Sequence, residues 1–493
     1  AGQLNAGQLQ INASNLANTN GGEIVQTGTG ATTIAVAGTL NNDGARIASN
    51  GQDLTLNGRT VTNNAGKIEH AGTGTLKISG GGYTGANGQI TTNSALAVTM
   101  SGVFNQDGDK AQTSAKQITV DAGSLSNRGG KIIQTGTEAT RINVVGAIDN
   151  STGTLVSNGD TSITAGSFAN QGGSTQAAGT ANLDLKVSTG LDNSKRGTIG
   201  AGGNVTVTAG SLNNDIGSVT AVGDLKATID KAATNAGGML AANGNTSLAA
   251  DTLDNSGGTI GAVKGDLSVT TTGKTINDAG ALQAGGKATL SNGGLSNQGG
   301  KVFGNSLSID THGNALDNSK KGTLSATTTV DIKSGGLNND GGLIQSVGAM
   351  TIDTDGKKLT NTHAADYTTK QGGIASADTL VLKTGEVDNT DGYIGARKTL
   401  SIDTHGQGYD NSSGQTVAAS DLSISAAALT NASGLIRSAA TTTINASSIA
   451  NNDTSGTDQG IEGKSVVIDT GDLNNTSGAI RADADTTITA SGT

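Results

Sequence analysis

The apolar residues of this chain fall in short alternating pairs. Leu54 and Leu56, Leu76 and Ile78, Val205 and Val207, Leu307 and Ile309, Val330 and Ile332, and Leu422 and Ile424 each stand two positions apart with a polar residue between them. A period of two places both apolar side chains on one face of a β-strand. No segment keeps a 3.6-residue period over three turns, so the pattern predicts strands and argues against leucine-rich or helical repeats.

A longer period lies over the short one. An apolar residue, any residue and then Asn, followed by a small or glycine-rich turn and another apolar residue, starts at Leu16. It recurs through Leu40, Leu125, Leu191, Leu253, Leu316, Leu359 and Leu429 to Leu473, in about 22 copies at a mean spacing of about 22 residues. Three copies, starting at Tyr83, Phe104 and Ile276, carry Gly85, Gln106 and Asp278 in the third place. The copy from Leu253 reads as three short strands: Leu253 with Asn255, then Ile260 with Ala262 after the Gly257-Gly258 turn, then Leu267 with Val269 after Lys264-Gly265. Three strands per period predict one rung of an all-β parallel β-helix, or β-solenoid, of about 22 rungs of about 22 residues. With rungs ~4.8 Å apart, such a stack would be roughly 105 Å long. One rung buries too little to offset the entropy of ordering it, so neighbouring rungs must share ladders and a continuous core.

The recurrent Asn has two readings. It can be a turn residue that tolerates left-handed geometry and bonds its own backbone, or it can point inward and stack as an amide ladder. Sharing a face with the apolar residue two positions earlier favours the ladder.

Composition narrows the class. Of 493 residues 78 are glycine, none is proline, tryptophan or cysteine, and aromatics make up 1%. The core must therefore be thin and built from small and β-branched side chains. Disorder is countered by a hydrophobic content of 33% set at regular intervals. The absence of proline suits strands that are nearly all central. A net charge of −10 argues against nucleic acid as a partner, and without cysteine there is no disulfide, thiolate metal site or cysteine nucleophile. With no initiator Met, no signal peptide and no apolar run of ~18 residues, the chain reads as an excerpt of something longer, with no segment that inserts in a membrane.

GSLSNRGGKI (Gly123 to Ile132), GSLNNDIGSV (Gly210 to Val219), DTLDNSGGTI (Asp251 to Ile260) and GGLNNDGGLI (Gly335 to Ile344) resemble the haemagglutinin repeats of filamentous haemagglutinin and of contact-dependent growth inhibition exoproteins. The resemblance spans almost the whole chain. It implies a right-handed parallel β-helix, exported across the Gram-negative outer membrane by a dedicated two-partner-secretion pore and displayed as a filament on the cell surface or secreted. No counterpart to the family's secretion domain or C-terminal toxin is present, so residues 1–493 resemble a single continuous shaft. An acidic chain free of cysteine and proline suits passage through a pore and folding rung by rung outside.

Several constellations invite a chemical reading. SIDTHG occurs at Ser308 to Gly313 and at Ser401 to Gly406. Alternation puts Ser308, Asp310 and His312 in an outward row ~7 Å apart per step, on a solvated strand rather than in a hydrolase triad. The four histidines, His70, His312, His363 and His405, show no metal-binding spacing, and no calcium loop is present. Gly80-Gly81-Gly82 reads as a flexible turn, not a phosphate cradle. The Asn-x-Ser/Thr triplets at Asn150, Asn411, Asn431 and Asn445 read as chance. No catalytic, cofactor-binding or metal-binding residue is assigned, and no cofactor is expected.

The pairs Lys195-Arg196 and Lys320-Lys321 widen a turn by one residue and keep charge outside; the alternative is contact with an anionic glycan or acidic receptor. Two inserts break the period, His363 to Gly373 and Asn451 to Gly460. Inserts on a regular stack are tolerated readily, and they are also where binding functions are often found. Three functions remain: a non-enzymatic filament segment that extends the functional tip of an adhesin or inhibition toxin, a segment that itself binds a host or target-cell receptor or glycan, and a β-helical polysaccharide-degrading enzyme. The last is disfavoured because three Phe, four Tyr and no Trp leave few residues to stack sugars.

Overall fold

A computed structural model describes residues 2–364 and 372–492. The chain forms two compact units, Ala1–Gly244 and Asn245–Thr493. Each is a stack of parallel β rungs, as the alternation predicts, and no helix occurs among the described residues. None is therefore long and apolar enough to cross a membrane.

A rung has three faces. In the first unit the turn at Asn193 leads into Thr198–Ala201 (face A). After a corner, Val205–Asn213 supplies face B and, past a bend at Gly210, face C. The next rung repeats this with Ser218–Ala221, Leu225–Ile229 and Ala232–Thr234. Successive rungs pair in parallel and in register, Ile199 opposite Val219, Val205 opposite Leu225 and Leu191 opposite Leu212. These six side chains are 2% exposed or less. The second unit is built alike: Thr323–Ala326, Val330–Lys333 and Leu337–Asn338 pair with Leu343–Ser346, Met350–Asp353 and Leu359–Thr360. All six alternating pairs read from the sequence lie in the core. The aromatics used inward, Tyr83, Phe104, Phe168 and Tyr409, are buried as well.

The recurrent asparagines form a ladder. In the first unit Nδ2 of Asn127, Asn150, Asn170, Asn193 and Asn214 each donates to Oδ1 of the next Asn, ending on Asn235, at 2.7–2.8 Å. In the second unit the ladder runs unbroken from Asn255 to Asn475 at the same spacing. Each amide also reaches backbone carbonyls: Asn214 Nδ2 bonds Gly217 O at 3.3 Å and, one rung on, Met239 O at 3.1 Å.

The asparagine main chain closes the turn. Gly153 N–H donates to Asn150 O and Gly217 N–H to Asn214 O, each at 2.9 Å. The left-handed residue is not the Asn but the one two places later, with φ from 51° to 67° at Ala65, Gly129, Thr152, Ile216, Gly257, Gly299, His363 and Ser433. The following position is usually glycine for a different reason. A Cβ on Gly153 would lie 2.0 Å from Asn127 O, and on Gly217 2.1 Å from Asn193 O. One rung's backbone carbonyl presses directly on the next.

Two places depart from the expected pattern. The copy read from Ile276 is shifted by one: Leu253 pairs with Thr275, and Asn277, not Asp278, carries the ladder. Thr275 occupies the apolar place because its hydroxyl bonds that of Thr271 at 2.9 Å. At Gly85 and Gln106 the first unit's ladder is interrupted. The Tyr83 hydroxyl replaces the missing amide and accepts from Asn63 Nδ2 at 3.1 Å; burial holds this phenol far above its usual range, so it stays neutral. Gln106 turns its amide to Gly88 O, which leaves its own Oε1 and Asn127 Oδ1 without donors. Tyr83 and Phe104 stack at 5.1 Å across the gap.

Asn214→Ala removes the donor to Asn235 and strands that of Asn193, both buried, and is expected to destabilise by about 3 kcal/mol. Chemical denaturation, with the outward Asn57→Ala as control, measures this. Gly153→Ala is expected to cost about 2 kcal/mol or more through its clash with Asn127 O. Ile216→Asn is expected to raise the melting temperature, because it relieves a β-branched residue held at φ 57°.

Candidate functional site

The strand Ser306–Asp310 ends before His312, so the outward row read from SIDTHG does not extend to the histidine. His312 has φ 50° and turns back, its N–H donating to Asp310 Oδ1 at 2.8 Å. Its Nδ1 stands 3.6 Å from the same oxygen, and its Nε2 meets Ser291 Oγ of the preceding rung at 2.8 Å. A Ser–His–Asp order thus arises, with Ser291 in place of Ser308. It is not a working triad: the His312 and Asp310 side chains are 58% and 42% exposed, and 3.6 Å is too long for the orienting hydrogen bond. In the second copy His405 makes the same turn but bonds Thr384 O at 2.9 Å. The shared feature is an Asx-type corner, not a nucleophile.

The structure brings together two features that the sequence kept apart. Lys320-Lys321, Asp340 and His363 stand in equivalent turns of three successive rungs, after ladder residues Asn318, Asn339 and Asn361. Together with Thr323 and Leu343 they line one groove. Lys320 and Lys321 both have left-handed φ, 54° and 70°, and so do Lys195 and Arg196, at 55° and 67°. The widened turn is therefore built on two consecutive left-handed residues with the charges outside, as expected. In both copies the first lysine is tethered to the rung before it: Lys320 Nζ to Gln298 Oε1 at 2.8 Å, Lys195 Nζ to Gln171 Oε1 at 3.1 Å. His363 Nδ1 lies 2.5 Å from Asp340 Oδ1. This contact holds the imidazole above its usual pKa and the carboxyl below its own, helped by Thr362 Oγ1 donating to Asp340. Residues 365–371, most of the insert that begins at His363, lie outside the described residues.

The second insert is clamped. Arg437, Glu462 and Arg481 stack outward on three successive strands of face A. Arg437 pairs with Asp458 at 3.2 Å. Arg481 pairs with Glu462 at 2.8 Å and donates to the carbonyls of Gln459, Ser455 and Gly456. Thr454 is fully buried, and its Oγ1 accepts from Ala479 N. This loop is spent on its own rungs. The sequence shows the clamp only as outward charged residues 19 to 25 positions apart, which the period alone could have aligned.

The other candidates resolve as structure. His70 is buried, with Nδ1 on Thr92 Oγ1 at 2.9 Å and Nε2 on Gly51 O at 3.0 Å. Gly80-Gly81-Gly82 is not a flexible turn: it lies within the strand Thr75–Thr84, where a Cβ on Gly80 would meet Gly58 O at 1.8 Å. Asn150, Asn411 and Asn431 are wholly buried ladder residues, and Asn445 alone of the four triplets faces out. Among the described residues no three His, Cys, Asp or Glu side chains gather in a way that could hold a metal ion.

A parallel β-solenoid whose rungs are joined by a buried amide ladder defines a repeat class. The chain belongs to the haemagglutinin repeat family, which matches it in overlapping segments from residue 6 to residue 493. It is similar to Toxin CdiA of Yersinia pestis, 36% identical over 124 residues. That stretch is 24% of this chain and 4% of the length of that protein. No solved structure matches the chain.

The His363–Asp340 pair yields a titration prediction. His363 gains its partner in the folded state, so the pair's contribution is complete below the histidine reference of 6.5 and is lost as pH rises through the raised value. It is also lost as pH falls through the depressed value of Asp340, below 3.8. NMR titration should find His363 titrating above 6.5, and Asp340→Asn should bring it down.

Proposed function

We propose that this chain is a non-enzymatic shaft segment of a large secreted bacterial surface adhesin or contact-dependent inhibition exoprotein, extending a functional tip from the cell. The observation that carries this reading is the ladder: the recurrent inward asparagines spend their amides on the adjacent rung, so the repeated element of the sequence serves to hold rungs together. Across the insert the spacing from Asn361 to Asn389 is 28 residues, yet their amides still meet at 2.8 Å. Such a stack can carry loops without disturbing what lies beyond them.

Membership of the haemagglutinin repeat family and the similarity to Toxin CdiA support an exoprotein of this kind, displayed on the exterior of the Gram-negative outer membrane or released from it. The partner during export is an outer-membrane two-partner-secretion pore. A chain with no cysteine and no proline threads it without disulfides or prolyl isomerisation. Folding outside then proceeds as each rung finds the edge left by the one before. The exposed, unshielded placement of His312 and His405 accords with a segment that does no chemistry.

Interchangeable rungs make a direct test. Deleting residues 298–318 removes one ladder period of 21 residues and sets Asn297 against Asn339. The variant should keep its β-sheet circular dichroism and melt within a few degrees of the parent, whereas deleting 298–308 should unfold the surrounding rungs. Collapse of the one-period deletion, or release of fragments from acidic polysaccharides by the intact chain, would overturn the reading.

A further inference from the structure

From Lys287–Ser291 to Leu400–Asp403 in the second unit, the residue that follows each face B strand turns into the corner of the stack and is buried and polar. At Thr311, Thr354 and Thr404 the hydroxyl donates to the carbonyl three residues on: Asn314 O at 2.5 Å, Lys357 O at 2.6 Å and Gln407 O at 2.6 Å. Four residues separate each of these threonines from the apolar residue of face C, and that length folds a carbonyl back over the hydroxyl. At Thr384, where only Gly385 and Glu386 precede Val387, the hydroxyl instead bonds Gly385 O at 3.1 Å. Two corners have neither closure, Asn292-Gly293-Gly294-Leu295 and Ser334-Gly335-Gly336-Leu337. Only two glycines span each of them, and the second has φ 119° at Gly294 and 127° at Gly336.

These are the corners where the buried side chain has no partner. Asn292 and Ser334 are 0% exposed, and neither the Asn292 Nδ2 and Oδ1 nor the Ser334 Oγ has a hydrogen bond. A buried polar group left unpaired costs more than immobilising one water. We propose that each Gly-Gly corner holds an ordered internal water, hydrogen-bonded to the Asn292 carboxamide in one and to the Ser334 hydroxyl in the other. A dry corner would be tolerable if apolar, but here the lining includes both a donor and an acceptor. Water is favoured over a metal ion because each corner offers one side-chain oxygen and no charge. Asn or Ser followed by Gly-Gly-Leu thus marks a hydrated corner, and Thr with the longer turn marks a self-closed one.

A crystal structure of the chain that resolves ordered solvent tests the proposal, with Thr311, Thr354 and Thr404 as internal controls. One density peak is expected within about 2.6–3.2 Å of the Asn292 carboxamide and one beside Ser334 Oγ, with none at the three threonines. Direct bonds from Asn292 and Ser334 to backbone carbonyls, or empty space beside them, would overturn it. A second structure replaces Gly335-Gly336 with the Asp-Gly-Lys-Lys turn of residues 355–358. It should lose the peak at Ser334, whose hydroxyl then bonds the returning carbonyl, and keep the peak at Asn292. Persistence of the Ser334 water with the longer turn would contradict the assignment.

Discussion

Everything regular in this molecule depends on one repeated hydrogen bond, from the Nδ2 of one buried asparagine to the Oδ1 of the next. A primary amide suits this because it has a donor and an acceptor at opposite ends, so a column of them satisfies itself indefinitely. Burying the amide would be costly alone; in the column each neighbour removes that cost. The same residue's carbonyl closes the turn, and the next rung's glycine packs against it. Side-chain ladder, turn and rung spacing therefore form one constraint, and the interior faces follow. With the Asn positions fixed in register, alternation sends Leu, Ile and Val inward from all three faces.

The constraint also explains what varies. Outward positions and turn lengths are free provided the ladder closes, so the widened turns at Lys195-Arg196 and Lys320-Lys321 and the spacing of 28 residues after Asn361 leave the column intact. Groups on the outside then combine across rungs in ways that a linear reading separates. The Lys320, Asp340 and His363 groove and the Arg437–Glu462–Arg481 clamp each draw on three successive rungs. A projecting loop is not by that fact a binding loop: the clamp shows one whose polar groups are turned back on the stack.

Much of the fold was legible in the sequence because its two periods are independent signals. The two-residue alternation named pairs such as Leu54 with Leu56, and the longer period named most of the ladder asparagines and the two copies that lack them, at Gly85 and Gln106. The register at Thr275 was not legible, because Ile276 is the more apolar neighbour and only the hydroxyl contact with Thr271 reveals which residue faces in. The left-handed turn position was hidden as well. Residue types as different as Gly, Thr, Ile, Lys and His occupy it, since the ladder forces the geometry whatever the side chain. The candidate sites were the least legible part. His312 meets Ser291 rather than Ser308 because the partner lies one rung away in space and 21 positions away in sequence.

The interrupted ladder at Gly85 and Gln106 gives the most direct measurement of the central claim. If the amide column holds rung to rung, hydrogen–deuterium exchange should show strong, even protection of the backbone amides from Asn127 to Asn235, where the column is continuous. Protection should dip at residues 83–106, where Tyr83 and Phe104 stand in for it. Protection as strong across 83–106 as across 127–235 would contradict the account and show that backbone pairing and apolar stacking hold the rungs without the amides.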